Sequence, residues 1–129
     1  MKKLLIVVIL FSAAMFSACE KEVGTGGTSS IRGKVFGYDI NSSGVVLDSA
    51  YIGDVRVYLS YGDNTWANED MRTSYSGDYA FQGLQKGKYK VFVFTKCISC
   101  PFDQASIVQE VEITKDGQTI VLPDFKIKD

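Results

Sequence analysis

Cys97-Ile98-Ser99-Cys100-Pro101 is the stretch of this chain whose spacing points most plainly to chemistry. A C-x-x-C pair can close a disulfide, supply half of a zinc site or act as a redox centre. Zinc would need two further nitrogen or sulfur ligands, and the 129 residues contain no His and only three Cys. A thioredoxin-like redox pair needs its first thiol at a helix N-terminus, which lowers the thiol pKa. Here Pro101-Phe102-Asp103 follows instead, in what reads as a loop between strands. Outside the cytoplasm two close thiols oxidise readily, so the expectation is a small structural disulfide, Cys97–Cys100, pinning loop 95–105. A free or exchangeable pair is the alternative. So short a loop gains little from closure, about 1–2 kcal/mol. The missing His also excludes a Ser-His-Asp triad, a Cys-His pair and any His-ligated metal, and no cofactor is expected.

A second group is aromatic. Tyr61, Trp66 and Tyr75 flank turns, with Asp63, Asn64, Asn68, Glu69 and Asp70 between them. Ring faces pack on sugar C–H groups while amides and carboxylates meet hydroxyls, so this set is a candidate carbohydrate site. The alternative is that Trp66 covers one edge of the core and the acids face water. Calcium wants six to eight oxygens, and no D-x-D-x-D-G spacing offers them. Tyr58, Phe92 and Phe94 fall opposite the apolar positions of their strands, so they form an outward aromatic patch unless loop 97–106 folds over them. Paired carboxylates could be drawn from the 15 acids, but a small sandwich offers little depth for a cleft that excludes water. The chain is therefore not expected to be an enzyme.

The N-terminus carries an address. Lys2 and Lys3 precede an apolar run of thirteen residues, Leu4 to Phe16. A membrane span needs about 20 such residues, whereas this length, charge and following small residues match the h-region of a secretory signal. Phe16-Ser17-Ala18-Cys19 resembles the lipobox of bacterial lipoproteins, departing from it in having Phe16 where Leu is usual. The resemblance implies cleavage of residues 1–18, a lipid on the Cys19 thiol and acylation, with palmitate for example, of the new amino group. It places the protein in the cell envelope, anchored to a membrane, expected to be the outer membrane of a Gram-negative bacterium. Several acyl chains hold a protein durably where one alone does not.

Removing eighteen residues from 129 leaves 111, and losing Lys2 and Lys3 turns 14 basic residues into 12 against 15 acidic, a net charge of −3. That balance excludes an electrostatic case for nucleic acid and a polybasic grip on anionic lipid. Glu20 to Ser30, rich in Gly, Ser, Thr and charge, extends Cys19 into a flexible tether over residues 19–30. Its reach is on the order of 20 Å, enough to hold the domain near the surface without fixing its orientation.

From Ile31 to Asp129 the hydrophobic period is two. Ile31/Val35, Val55/Val57/Leu59, Tyr79/Phe81, Tyr89/Val91/Val93 and Val111/Ile113 alternate with polar or outward residues, and Ile120–Leu122 and Phe125–Ile127 add two short runs. Turn residues separate them at 41–44, 62–64, 76–78, 86–87 and 115–118. About seven short strands in a hundred residues predict an all-β fold, an antiparallel two-sheet β-sandwich over 31–129.

The run Gly77-Asp78-Tyr79-Ala80-Phe81-Gln82-Gly83-Leu84, followed by Gly87-Lys88-Tyr89-Lys90-Val91, resembles the carboxypeptidase regulatory-like domain, a transthyretin-like sandwich. Ile31-x-Gly33-x-Val35 and Gly53-x-Val55-x-Val57-x-Leu59 extend the likeness. Residues 41–50 are longer than the family's first hairpin loop, and 63–74 are unusually polar. Adhesin relatives can carry a Lys–Asn crosslink; Lys34 lies on the first strand but no matching Asn is found. The motif specifies packing and carries no reaction. The functional expectation is a non-enzymatic envelope lipoprotein for adhesion, scaffolding or assembly with an envelope protein. A second reading is a surface module that binds glycan through Trp66 and its neighbours, and a third is a thiol-active protein using Cys97 and Cys100.

Overall fold

The computed structural model describes residues 22–129, so the signal peptide and Cys19 lie outside the described residues. Nine strands follow: β1 (Thr25–Ile40), β2 (Val46–Tyr51), β3 (Arg56–Tyr61), β4 (Glu69–Arg72), β5 (Asp78–Leu84), β6 (Gly87–Lys96), β7 (Gln104–Ile113), β8 (Thr119–Val121) and β9 (Phe125–Lys128). They form two packed sheets. The all-β sandwich expected from the period-two pattern is the observed architecture.

One sheet is built on β1. Along one edge β1 pairs antiparallel with β5 and then β2; along the other it pairs parallel with β8 and then β9. The second sheet runs β4-β3-β6-β7, antiparallel throughout. Two expectations are thereby corrected. The sandwich is not purely antiparallel, because β7 belongs to the other sheet and the 114–118 turn brings the chain back alongside β1 in the same direction. The strands number nine rather than about seven, since β2 and β4 show no alternating pattern: β2 is exposed at every residue, and β4 is Glu-Asp-Met-Arg.

Alternation on the remaining strands meets between the sheets. Ile31, Val35, Tyr79, Phe81, Leu84, Phe125 and Ile127 face Val57, Leu59, Tyr89, Val91, Val93 and Ile113, all buried. Each such side chain contributes roughly 1.5–3 kcal/mol when fully buried. Gly33 sits on the inner face of β1 because Tyr79 takes its place: a Cβ there would lie 2.5 Å from the Tyr79 Oη. Gly77 adopts φ +82° at the entry to β5, a conformation suited to glycine, and its carbonyl accepts from the Val35 N–H at 2.9 Å.

The tether also needs correction. Strand β1 begins at Thr25, not after Ser30, and Val23 packs against the core. Residues 25–30 contain only Thr, Gly and Ser, yet backbone pairing orders them without an apolar stripe. Ser29, buried, donates its Oγ to the Lys115 carbonyl at 2.9 Å and accepts from the Gln118 N–H at 3.1 Å. The Gly24 N–H donates to Tyr89 Oη at 3.0 Å, and Tyr89 Oη donates to the Gln85 carbonyl at 2.7 Å. Only residues 20–22 therefore separate Cys19 from the docked chain.

Candidate functional site

Strand directions divide the loops between two ends of the sandwich. Gly24 lies with the turns at 62–68, 85–86 and 114–118, as the Gln85 N–H to Gly24 carbonyl bond (2.8 Å) and the Gly62 N–H to Lys88 carbonyl bond (2.8 Å) show. The turns at 41–45, 52–55, 73–77 and 97–103 gather at the other end. There the Asp54 N–H bonds the Thr73 carbonyl at 3.0 Å, and Gly44 approaches Ile98.

The aromatic set predicted from sequence is split by this arrangement. Tyr61, Asp63, Asn64 and Trp66 belong to the end that holds Gly24. Tyr75 follows β4 and lies at the opposite end, one strand length away, because β3 and β4 form a hairpin. The amides near Trp66 are already engaged: Asn64 Nδ2 donates to Asn68 Oδ1 at 3.1 Å, and Asn68 Oδ1 also accepts from the Tyr61 N–H at 2.8 Å. Tyr61 Oη donates to Glu69 Oε2 at 2.6 Å, and burial followed by that bond raises the Tyr61 pKa. Trp66 accepts from Ser60 Oγ through its carbonyl, while the residue is 61% exposed. It is not among the residues packed on the core.

At that end Tyr75 is joined by Phe102, which the sequence reading did not single out. Both line an open cleft of about 1200 Å³, together with Tyr51, Ile52, Asp54, Phe94, Lys96, Asp103, Gln104 and the end of β9. The cleft forms because the β1–β2 and β6–β7 hairpins run on past the turns at 52–55 and 73–77, leaving a step. Its two outer rings are almost wholly exposed, Tyr75 at 99% and Phe102 at 98%.

The loop that carries Phe102 is braced. Cys97 and Cys100 form a disulfide with Cα atoms 5.3 Å apart, as expected from their spacing. The Cys97 N–H donates to the Asp103 carbonyl at 2.9 Å and the Asp103 N–H to the Cys100 carbonyl at 3.0 Å. Phe102 and Asp103 take φ of +59° and +55°, a left-handed conformation that side chains other than glycine rarely adopt. Tyr51, which also lines the cleft, donates its Oη to Asp124 Oδ2 at 2.7 Å, which raises the Tyr51 pKa. Tyr58 stacks on Phe92 with centroids 5.0 Å apart, and Phe94 meets Tyr58 edge-on at 5.6 Å. This outward patch runs toward the cleft, where Phe94 stays 44% exposed.

Fold and site together define a two-sheet β-sandwich with an open, aromatic-rimmed cleft at the end away from the start of its N-terminal strand. No family model matches the chain, and no curated protein matches it. Among solved structures it is similar to a crystal structure from Pseudomonas aeruginosa of a protein provisionally described as carbohydrate binding. The two are 12% identical with a TM-score of 0.49, over 84% of this chain and 93% of that one.

Proposed function

We propose that the chain is a non-enzymatic cell-envelope lipoprotein, held to a membrane through a lipid on Cys19, whose sandwich presents a binding cleft outward for adhesion, scaffolding or envelope assembly. The observation that carries this reading is the docking of Val23 and Gly24 at one end of the sandwich while the cleft opens at the other. With Val23 fixed, four backbone steps join Cys19 to the domain, at most about 14 Å of extended chain. A lipid on Cys19 then sets the Trp66 end toward the membrane and the Tyr75–Phe102 end away from it. The measure of that separation is β6: Tyr89 to Lys96 is eight residues, seven steps or roughly 23 Å of strand.

A binding role fits the shape of the site. The cleft is a step between hairpins rather than an enclosed pocket, and such a shape holds a ligand without excluding water from it. Metabolic labelling with palmitate tests the anchor. Label should enter the wild-type chain and be absent after Cys19→Ala, with the variant moving from the membrane to the soluble fraction. Equal labelling of both chains, or none of either, would refute the lipid anchor.

A further inference from the structure

We propose that the cleft between the 73–77 turn and the β6–β7 loop binds a neutral oligosaccharide, with Tyr75 and Phe102 as its stacking rings. The inference rests on the reading of the protein as a binding module and adds the class of ligand. Both rings stand in solvent by construction rather than by disorder. Tyr75 sits in a turn closed by the Gly77 N–H to Ser74 carbonyl bond at 2.9 Å, and the Asp78 N–H donates to Ser74 Oγ at 3.1 Å. Phe102 is turned outward by its left-handed backbone, on a hairpin tip that the Cys97–Cys100 disulfide closes. A strained conformation that exposes a phenyl ring gives the fold no packing in return, which points to a use outside the fold.

Two exposed aromatic rings on separate turns, lining a cleft that also carries polar groups, suit a ligand that alternates C–H faces with hydroxyls. Lys96, Asp103 and Gln104 supply donors and acceptors along the cleft, and among the described residues neither Lys96 nor Asp103 enters an ion pair. Charges of both signs line it, and Asp54 is already held by Arg72 at 3.2 Å, so the surface does not select an anion. The centre of a protein–protein interface is depleted of charged residues, whereas Asp54, Lys96, Asp103 and Lys128 line this cleft. The span of the cleft, about 1200 Å³, exceeds the roughly 300–1,000 Å³ of an ordinary small-molecule site and accommodates several sugar units.

The test is an array of neutral and acidic oligosaccharides, probed with the full chain purified in detergent so that the result does not depend on the anchor. The expected outcome is binding of neutral glycans by the wild type and equally by Trp66→Ala. Tyr75→Ala and Phe102→Ala should each weaken binding about tenfold, the scale of one lost aromatic contact. Because both side chains lie outside the core, their thermal melts should match the wild type. Failure of the wild type to bind any neutral glycan would overturn the proposal. So would undiminished binding by both cleft variants, or loss of binding in Trp66→Ala. None of these results bears on palmitate labelling of Cys19, so the ligand class and the anchored-module reading fail separately.

Discussion

Replacing Gly33 with leucine should destabilise the domain more than any other single substitution on the inner face of β1. The β-carbon alone would lie 2.5 Å from Tyr79 Oη and 2.8 Å from its Cζ, and Tyr79 is buried between the sheets. Overpacking a core commonly costs about 1–3 kcal/mol. A leucine aimed into a fixed aromatic ring belongs at or above the top of that range, against a total stability of about 5–15 kcal/mol. Urea melts should show it, with a wild-type-like midpoint as the contrary result. The same geometry makes a second variant informative. Tyr79 Oη is buried without a hydrogen-bond partner among the described residues, and burial raises the phenol pKa, so the group stays neutral. Tyr79→Phe removes a polar atom whose unsatisfied burial costs about 1–3 kcal/mol, and it should leave stability unchanged or higher. Gly33→Ala should then be better tolerated in the Tyr79→Phe background than alone, because the closest atom has gone.

Gly87→Leu should release the N-terminal segment. Gly87 has φ +145°, and a Cβ there would collide with Val23 Cγ2. Two costs add: a backbone conformation that L-residues avoid, about 1–2 kcal/mol, and the loss of Val23 from the core, roughly 1.5 kcal/mol. Tyr89 Oη would also lose its bond from the Gly24 N–H. The expected result is a lowered melting temperature with rapid proteolysis near Val23 while the nine-strand body persists. Protection of that segment equal to the wild type would show that Val23 does not depend on Gly87.

The parts of this molecule that were legible in its sequence are those in which burial alternates. The Gly77–Val91 run announced a turn, two core aromatics, a plugging leucine and a second strand, and Tyr79, Phe81, Leu84, Tyr89 and Val91 are all buried. The Cys97–Cys100 disulfide was legible from its spacing and from the absence of other ligands. What stayed hidden is structure held by backbone pairing. Thr25–Ser30 has the composition of a linker, but it is strand because Gly27 lies directly against the Leu84 carbonyl, where only a glycine fits. Strand β2 likewise pairs with β1 while burying none of its own side chains.

The candidate site was half legible. Tyr75 stood out as an aromatic beside a turn, yet its nearness in sequence to Trp66 is undone by the β3–β4 hairpin. Its partner Phe102 gave one signal, an aromatic between Pro101 and Asp103 just after the C-x-x-C pair. Only the topology brings the 73–77 and 97–103 turns to one end.

That topology makes the direction in which the molecule points measurable, because Trp66 is the only tryptophan. The lipidated chain would be reconstituted into vesicles whose headgroups carry a short-range quencher. Tryptophan emission would be compared between the wild type and a Trp66→Phe, Phe102→Trp double variant. Strong quenching of Trp66, with the tryptophan at the cleft left bright, is the result required if the lipid on Cys19 and the docked Val23 fix the sandwich with its cleft outward. Quenching of the cleft tryptophan as strong as that of Trp66, or of neither, would contradict it.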